Sequence, residues 1–311
     1  MKAVRIHQYG DTDTLRYEDA EKPTVGEDDV LIRVVGTSVN PIDWKIRQGH
    51  LEEMIPYKMP IILGWDVSGV VAEVGEKVSK FKVGDNVYSR PDVARDGTYA
   101  EFICVREAEV AMKPNTISHI EAAVLPLVGI TAWEVLVNTA EVSVGQRVLI
   151  HAASGGVGAI AVQLAKAHGA YVIGTASAAN RELVESLGVD EFVDYHKQGL
   201  TDAVKDIDIV FDTMGGQTQK ESWSVLAPDG ILVSIVSPPD ADLAKKLGFR
   251  SAFVMIKPDA VVLESLAKLV DAGKIRPIVG AEFSLQDMKE AHRLSESGRA
   301  RGKIAVYVGQ P

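Results

Sequence analysis

Residues 147–169 read RVLIHAASGGVGAIAVQLAKAHG, and this stretch gives the strongest indication of the fold. The apolar run Arg147–Ala152 predicts a strand. Val157–Gly169 predicts a helix, because its small and apolar residues recur at three and four positions and a glycine ends it. Ala153–Gly158 lies between them and reads A-x-G-x-x-G, one substitution from the dinucleotide-binding pattern G-x-G-x-x-G, in the strand–turn–helix context that this pattern needs. The stretch therefore predicts the start of a nucleotide-binding unit.

The glycines of this turn permit a close approach between backbone and ligand. Gly155 and Gly156 have no side chains, so backbone N–H groups and the helix N-terminus can meet a pyrophosphate. Gly158 lets the helix pack against the sheet. The alternative is a tight strand-to-helix turn that binds nothing. The predicted cofactor contacts in the turn are Ser154, Gly155, Gly156 and Val157.

A regular alternation of strands and helices follows the turn. The predicted strands are Tyr171–Gly174, Glu191–Asp194, Ile207–Asp212, Ile231–Val236 and Arg250–Ile256. Short, nearly continuous apolar strands that alternate with helices are typical of a doubly wound parallel sheet.

The first third of the chain has a different texture. Val30–Val35 and Val67–Val74 are β-branched runs, and frequent glycine turns separate them from further short strands. This pattern favours a small, partly open β-barrel. We therefore expect an α/β protein with two domains. The β-rich domain is predicted to comprise residues 1–122 and to be completed by 258–311, and the doubly wound domain to comprise 123–257.

Composition narrows the classes of function. The chain has 311 residues, 33 Lys plus Arg against 43 Asp plus Glu, a net charge of −10 and one cysteine. The acidic balance argues against a nucleic-acid or anionic-membrane partner. A single cysteine, Cys104, excludes an internal disulfide and every zinc site with two or more cysteines. Because no long apolar run or signal-peptide pattern is visible, we expect a cytoplasmic protein.

The end of the second predicted strand indicates which nucleotide binds. An NAD site carries a carboxylate there for the ribose 2′-OH, but the first carboxylate after this strand is Glu182, inside the next helix. Donors for a 2′-phosphate are present instead, which favours NADP(H). They are Ser177, Asn180, Arg181 and Tyr195. Arg181 has the alternative role of a solvated helix-start residue. Met214 and Val236 follow later strands and are expected to touch adenosine or the nicotinamide ribose.

Several ordered blocks resemble the medium-chain dehydrogenase/reductase superfamily, and within it the zinc-free quinone oxidoreductase and enone-reductase branch. They are VNPIDWK at 39–45, GWDVSGVV at 64–71, GTYAE at 97–101, LPLVGITA at 125–132, the turn at 152–158, and GKI at 302–304. The resemblance implies a GroES-like catalytic domain joined to a Rossmann domain, with the active site in the cleft between them. It also implies a homodimer that pairs through the strand near 250–256; the alternative is a monomer whose sheet edge the tail covers.

The same resemblance implies that no metal is bound. The positions that hold catalytic zinc ligands in alcohol dehydrogenases of the superfamily are occupied here by Asn40, Trp65 and Leu127, none of which offers a thiolate or an imidazole. Hydride transfer to a quinone or enone needs only a hydrogen-bond donor or cation near the oxygen that gains charge.

The resemblance also implies roles for residues near the nicotinamide. Lys45 is the expected catalytic cation and also a cofactor contact, and Asn40 is expected to anchor the carboxamide or ribose. Further predicted cofactor contacts are Thr131, Gly302 and Lys303, and the expected walls of an apolar pocket are Trp44, Tyr57 and Trp65. Each has a structural alternative. Lys45 could pair with Asp43 at the surface, Asn40 could cap a turn, and Thr131 could be a helix-interior residue. Lys303 could be a solvated strand start, and the aromatic residues could be plain core.

These features together predict an NADPH-dependent, zinc-independent oxidoreductase that reduces quinones or α,β-unsaturated carbonyls. One alternative is an NADPH-binding sensor or scaffold with little turnover, because its cofactor site would look the same. A zinc-type alcohol dehydrogenase is a second alternative. The sequence does not identify the natural acceptor.

Overall fold

The computed structural model describes residues 1–310 of the chain. Its contacts divide the chain into two compact units. The first unit comprises residues 1–127, 257–273 and those from 277 onward, and the second comprises 128–256 with 274–276. The first unit is thus built from separate parts of the chain.

The N-terminal part of the first unit is mostly strand. β-Branched runs supply its longest strands, as expected for half-buried or buried sheet positions. In chain order its elements are β1 (Lys2–Ile6), β2 (Arg16–Asp19), β3 (Asp29–Val39), α1 (Pro41–Arg47), β4 (Ile61–Ile62), β5 (Val67–Val74), β6 (Asn86–Ser89), β7 (Phe102–Arg106), β8 (Val110–Met112) and α2 (His119–Ala123). The helix α3 (Pro126–Trp133) then crosses the division and continues as a π-helix, Glu134–Thr139.

The second unit is a six-stranded sheet whose pairings are all parallel. Its elements are β9 (Arg147–Ile150), α4 (Gly156–Ala167), β10 (Tyr171–Ala176), α5 (Arg181–Ser186), β11 (Glu191–Asp194), α6 (Leu200–Ala203), β12 (Ile207–Asp212), α7 (Gly216–Ser222), β13 (Leu226–Ser234), α8 (Ala241–Leu247) and β14 (Arg250–Phe253). The strand order is β11-β10-β9-β12-β13-β14. Counted from β9, this is the 3-2-1-4-5-6 order of a Rossmann sheet. The doubly wound parallel sheet that the sequence predicts is therefore confirmed.

The tail returns to the first unit. Its elements are α9 (Ala260–Asp271), β15 (Val279–Ser284), α10 (Met288–Glu296) and β16 (Lys303–Tyr307). β16 pairs antiparallel with β3 inside a seven-stranded sheet of order β15-β16-β3-β5-β6-β8, and β7 also pairs with β3. A separate three-stranded sheet has the order β2-β1-β4. The tail therefore completes the main sheet of the unit in which the chain began.

Candidate active site

Four strands of the first unit place polar residues at one edge of its large sheet. Thr37 of β3 pairs with Val67 of β5, and Val67 pairs with Ser89 of β6. The next residues outward on these three strands are Ser38, Asp66 and Arg90. β16 begins at Lys303, one residue before the pair of Ile304 with Val39. Strand register thus brings together residues far apart in the sequence.

Asp66 is the centre of a buried network at this edge. It is fully buried, and its Oδ2 accepts hydrogen bonds from Ser38 Oγ at 2.5 Å and Asn40 Nδ2 at 2.8 Å. Lys303 Nζ lies 3.3 Å from the same oxygen, and Leu127 N–H donates to Oδ1 at 2.7 Å. Asp66 therefore forms a buried ion pair within a network of hydrogen bonds.

The network fixes the orientation of the Asn40 amide. Lys303 is only a donor, and its ammonium donates to Asn40 Oδ1. Asp66 accepts from Asn40 Nδ2, so the amide nitrogen must face the carboxylate. One amide N–H thereby remains outside these contacts. A cation on the oxygen and an anion on the nitrogen polarise the amide and make that N–H a stronger donor.

Lys303 is not the solvated strand start that was one alternative. Its side chain is almost fully buried, and its ammonium meets Val39 O, Asn40 Oδ1 and Asp66 Oδ2. These three contacts match its three donors. Lys303 therefore acts on Asn40, and a direct contact of Lys303 with the cofactor stays a prediction. Gly302 precedes it with φ +61°, and a Cβ there would lie 2.4 Å from Ile278 O.

A second buried series of hydrogen bonds involves side chains of α1. Asp43 Oδ2 accepts from Asn40 N–H at 2.8 Å and from Tyr99 Oη at 2.6 Å. His292 Nε2 lies 3.2 Å from Tyr99 Oη, and Arg47 contacts His292 Nδ1 at 2.9 Å. Because arginine only donates, Nδ1 must accept and the proton must sit on Nε2. Burial lowers the pKa of His292 to about 3, so this neutral form is the stable one.

Asp43 has an unusual environment. It is completely buried, and its Oδ1 has no hydrogen-bond partner. Burial raises the pKa of Asp43 to about 7, despite opposing hydrogen bonds from Tyr99 and Asn40. A carboxyl group whose pKa is raised to near 7 is characteristic of functional sites.

Asp43→Asn tests this burial through the pH dependence of stability. A raised folded-state pKa gives stability that is present below the ordinary value of 3.8 and is lost as pH rises through about 7. The free energy of unfolding of the wild type should therefore fall by up to ~4 kcal/mol between pH 4 and pH 8, relative to Asp43→Asn. Urea unfolding at several pH values measures the difference. Asp28→Asn, at an exposed position of the same unit, is the control; parallel curves for wild type and Asp43→Asn would contradict the prediction.

Lys45 and the aromatic candidates lie around α1. Lys45 is half-buried, with its ammonium 5.7 Å from the centroid of the Trp44 ring. Its alternative pairing with Asp43 is wrong, because Asp43 is buried and bonded to Asn40 and Tyr99. Trp44 is also half-buried, and its Nε1 has no partner.

The other two aromatic candidates differ in burial. Tyr57 is half-buried and donates to Val93 O at 2.8 Å. Trp65 is fully buried in a core cluster with Leu63 and Tyr99, and its Nε1 has no partner. Trp65 therefore has the core position that was its alternative, whereas Tyr57 remains available to line a pocket.

Arg90 is a site feature that the sequence prediction missed. It is 4% exposed, although its guanidinium has no hydrogen bond or ion pair to any residue in 1–310. Burial lowers its pKa, and the carboxylates of Asp66 and Asp92 oppose this effect. A lone arginine directly after an apolar strand was the available signal, but charge at a strand end is usually solvated.

The glycine turn of the second unit has the predicted shape. β9 leads into it and α4 begins at Gly156, with Gly155 as the N-cap. A Cβ on Gly158 would lie 2.3 Å from Ala152 O and 2.8 Å from Ala153 Cα. Ala152 itself has a left-handed backbone, with φ +48°. The turn is thus a tight cradle under a twelve-residue helix whose N-terminus favours an anion.

The donors expected for a 2′-phosphate follow two adjacent strands. Ala176 of β10 pairs with Asp194 of β11, so the residues after each strand lie at the same edge. Arg181 is half-exposed; it bonds Glu185 at 2.9 Å and lies 4.2 Å from the centroid of the Phe192 ring. Tyr195 is 58% exposed. Ser177 and Asn180 lie in the turn between β10 and α5, where Asn180 Nδ2 lies 3.3 Å from Ser177 Oγ.

Exposed apolar side chains continue along this carboxyl edge. Met214 after β12 and Val236 after β13 are 54% and 44% exposed. Asp212 and Ser234, at the paired ends of these strands, are joined by a 2.8 Å hydrogen bond. Apolar groups at the carboxyl ends of parallel strands suit a nucleotide ligand. Thr131 is buried within α3, and its cofactor contact stays a prediction.

Among residues 1–310, no group of three or more His, Cys, Asp or Glu side chains is placed to hold a metal ion. None of the helices there has the length and hydropathy needed to cross a bilayer. The sole cysteine, Cys104, is buried in β7, and burial raises its pKa to about 11.

Two family models match the chain. Residues 26–115 match the alcohol dehydrogenase GroES-like domain, and residues 187–306 match the zinc-binding dehydrogenase model. The NADPH-dependent alkenal/one oxidoreductase of Arabidopsis thaliana is 36% identical over 99% of this chain and 79% of its own length. The chain belongs to the quinone and enone oxidoreductase branch of the medium-chain dehydrogenase/reductase superfamily. The resemblance found in the sequence is therefore confirmed.

Solved structures of this superfamily show the same fold. The quinone oxidoreductase from Coxiella burnetii has a TM-score of 0.93 and 34% identity, and the match covers 99% of both chains. The Escherichia coli quinone oxidoreductase complexed with NADPH has a TM-score of 0.89 and 26% identity, over 99% of this chain and 100% of that one. The predicted combination of a Rossmann sheet and a GroES-like domain is confirmed.

Proposed function

We propose that the protein is an oxidoreductase that uses NADPH to reduce quinones or α,β-unsaturated carbonyls. The observation that carries the proposal is the turn between β9 and α4, where Gly158 has no space for a side chain and the N-terminus of a twelve-residue helix favours an anion. The relatives named as NADPH-dependent alkenal/one oxidoreductase and quinone oxidoreductase support the choice of acceptor. NADPH, when bound, supplies the hydride.

The second unit has the residues needed to hold this cofactor. The N–H groups of Ser154–Val157 and the α4 N-terminus fit the pyrophosphate. Arg181 and Tyr195 fit the 2′-phosphate, together with Ser177 and Asn180. Met214 and Val236 fit the adenosine and ribose surfaces. Arg181 follows β10 and would exchange its exposed pairing with Glu185 for a phosphate. This exchange costs little, because surface ion pairs are weak.

Asn40 and Lys45 are the proposed catalytic residues of the first unit. The polarised amide of Asn40 supplies an oriented N–H donor, held by Asp66 and Lys303. Lys45 supplies a cation and a cofactor contact from the next turn of α1. A normal kcat/KM in Lys45→Ala would overturn the role of Lys45.

The chemistry is proposed to be independent of zinc. Asn40, Trp65 and Leu127 occupy the relevant positions, and the ammonium of Lys303 is bonded to Asn40. At one of the positions that hold metal ligands in zinc enzymes, this chain has the amide of Asn40, bonded to the ammonium of Lys303. Elemental analysis of active protein should find less than stoichiometric metal, and loss of activity with a chelator would contradict the proposal.

The experiment that tests the function is an acceptor screen. Oxidation of NADPH and NADH is followed in parallel with 1,4-naphthoquinone and with methyl vinyl ketone. We expect turnover with NADPH and slower turnover with NADH. Tight NADPH binding without turnover of any acceptor would favour the sensor or scaffold alternative, and turnover of simple alcohols with bound metal would favour a zinc alcohol dehydrogenase.

A homodimer and a cytoplasmic location complete the proposal. β14 is the edge strand of its sheet, and Phe253 at its end and Met255 just beyond are 38% and 66% exposed. An open apolar edge favours pairing with a second copy. Light scattering should give about twice the 33.5 kDa chain mass, and a monomer at micromolar concentration would contradict the dimer. Fractionation of producing cells tests the location.

A further inference from the structure

Arg90 is a buried cation without a protein partner. It is 4% exposed, its Nε is buried and unbonded, and the guanidinium has no acceptor among residues 1–310. The other buried arginine of this unit, Arg47, bonds Gly10 O, His292 and Glu296. Buried charges in proteins are normally paired in that way, because an unpaired one is costly to remove from water. The contrast singles out Arg90.

The neighbouring carboxylates are already occupied. Asp92 and Glu109 both bond Arg106, at 3.0 and 2.8 Å. Asp66 bonds Lys303 and is held by three further donors. Asp43, which also acts on Arg90, accepts hydrogen bonds from Asn40 N–H and Tyr99 Oη. The acidic groups near Arg90 therefore have other partners. Its five N–H donors form a planar fork that suits an oxygen ligand, and no protein oxygen in the described range takes them.

Arg90 also lies at the right place. Strand register puts it beside Asp66, at the sheet edge where Asp66 holds the Asn40 amide. Tyr57 donates to Val93 O at 2.8 Å, three residues beyond Arg90 in the chain. The cation, the oriented amide donor and a half-buried aromatic side chain thus lie in one part of the first unit.

We propose that Arg90 binds the carbonyl oxygen of the acceptor, a quinone or an α,β-unsaturated carbonyl, and stabilises the charge that forms there. This inference rests on the proposed function. In the enone reaction the β-carbon gains a hydride and forms a C–H bond, the C=C pair shifts, and the carbonyl oxygen becomes negative. A proton from water then adds at the α-carbon, so the acceptor gains two electrons and two hydrogens while NADPH becomes NADP⁺. A guanidinium stabilises this oxygen most strongly in the transition state, when the negative charge develops on it.

Arg90→Gln and Arg90→Met test the proposal kinetically. The expected kcat/KM for 1,4-naphthoquinone and methyl vinyl ketone falls ~100-fold, as for loss of an oxyanion donor, whereas the Kd of NADPH stays unchanged. Arg90→Lys, which keeps the charge but loses the fork, should recover part of the loss. Arg16→Gln, on the exposed strand β2, is the control and should match the wild type. Wild-type kcat/KM in Arg90→Gln would overturn the proposal.

A binding measurement separates this inference from the proposed function. 4-Nitrophenol is titrated into the protein loaded with NADP⁺, and its visible absorbance reports the phenolate. The wild type should bind the phenolate and ionise the phenol at a lower pH than in water, and Arg90→Gln should bind at least tenfold more weakly. Equal binding by both proteins overturns the role of Arg90. Failure of the wild type to turn over any acceptor would instead overturn the proposed function, while phenolate binding that depends on Arg90 would still support an oxygen site.

Thermal unfolding distinguishes a binding arginine from a structural one. Removal of an arginine that supports the fold lowers Tm, as expected for Arg47. Removal of an unpaired buried charge should leave Tm unchanged or raise it. We therefore expect Arg90→Met to melt at or above the wild-type temperature while its kcat/KM is low. A Tm well below that of the wild type would show a structural role and contradict the proposal.

Discussion

Gly158→Ala is expected to weaken NADPH binding by about 100-fold and to lower the Tm of the second unit. Alanine normally stabilises a helix relative to glycine by ~1 kcal/mol. Here the added Cβ would lie 2.3 Å from Ala152 O and 2.8 Å from Ala153 Cα, and both are backbone atoms. The turn must therefore move away from α4, at a cost of at least ~1–3 kcal/mol for overpacking. The same movement displaces the N–H groups proposed to bind the pyrophosphate.

Fluorescence titration with NADPH and thermal unfolding measure the two effects. Gly199→Ala in the same unit is the matched control, because an added Cβ there meets only the flexible carboxylate of Asp202, at 3.2 Å. This control should bind NADPH normally. Normal affinity in Gly158→Ala would show that the turn does not hold the pyrophosphate.

Asp66→Asn is expected to destabilise the first unit by ~3–5 kcal/mol, the usual cost of leaving one buried charge without its partner. Asp66 is fully buried and the Lys303 side chain is 7% exposed, so water cannot replace the lost contact. The substitution also disturbs the donors Ser38 and Leu127. Since the Asn40 amide would lose the carboxylate that orients it, kcat should fall together with stability.

The double variant Asp66→Asn/Lys303→Met isolates the pairing. Removing both charges should recover part of the lost stability. The summed destabilisation of Asp66→Asn and Lys303→Met should therefore exceed the destabilisation of the double variant. Urea unfolding gives all four free energies. Lys77→Met is the control, because Lys77 and Glu27 form a pair that is 63% exposed on both sides and should contribute less than ~1 kcal/mol. Strict additivity of Asp66 and Lys303 would contradict the predicted coupling.

The second unit was largely predictable because its signals are local. The turn at 153–158, the strand before it and the helix after it lie within one short stretch of sequence. The parallel pairing of its strands follows from the same alternation, because a crossover helix that connects two strands of one sheet leaves them parallel. Arg181 and Tyr195 could be placed together for the same reason, because adjacent parallel strands end at one edge.

The first unit was less predictable because its site depends on distant pairing. The contact of Lys303 with Asp66 spans 237 residues, and only strand register brings these two side chains together. The contacts of Tyr99 with His292, and of His292 with Arg47, also join residues far apart in the sequence. Arg90 could not be distinguished in the sequence from a solvated strand end, because its lack of partners is a property of the folded chain. The helix α3 changes to a π-helix at Glu134, a change of hydrogen-bond register with no sequence signal we can name.

The return of the tail to β3 has a consequence for biosynthesis. A ribosome delivers Asp66 long before Lys303, with the whole second unit between them. During this interval the edge of β3 that β16 covers is open, and Asp66 lacks its partner Lys303. The second unit, by contrast, has its six strands complete once residue 253 has emerged. Domains generally fold as units during synthesis, so the Rossmann sheet should be the first to protect its backbone amides, and the site around Asp66 should form last.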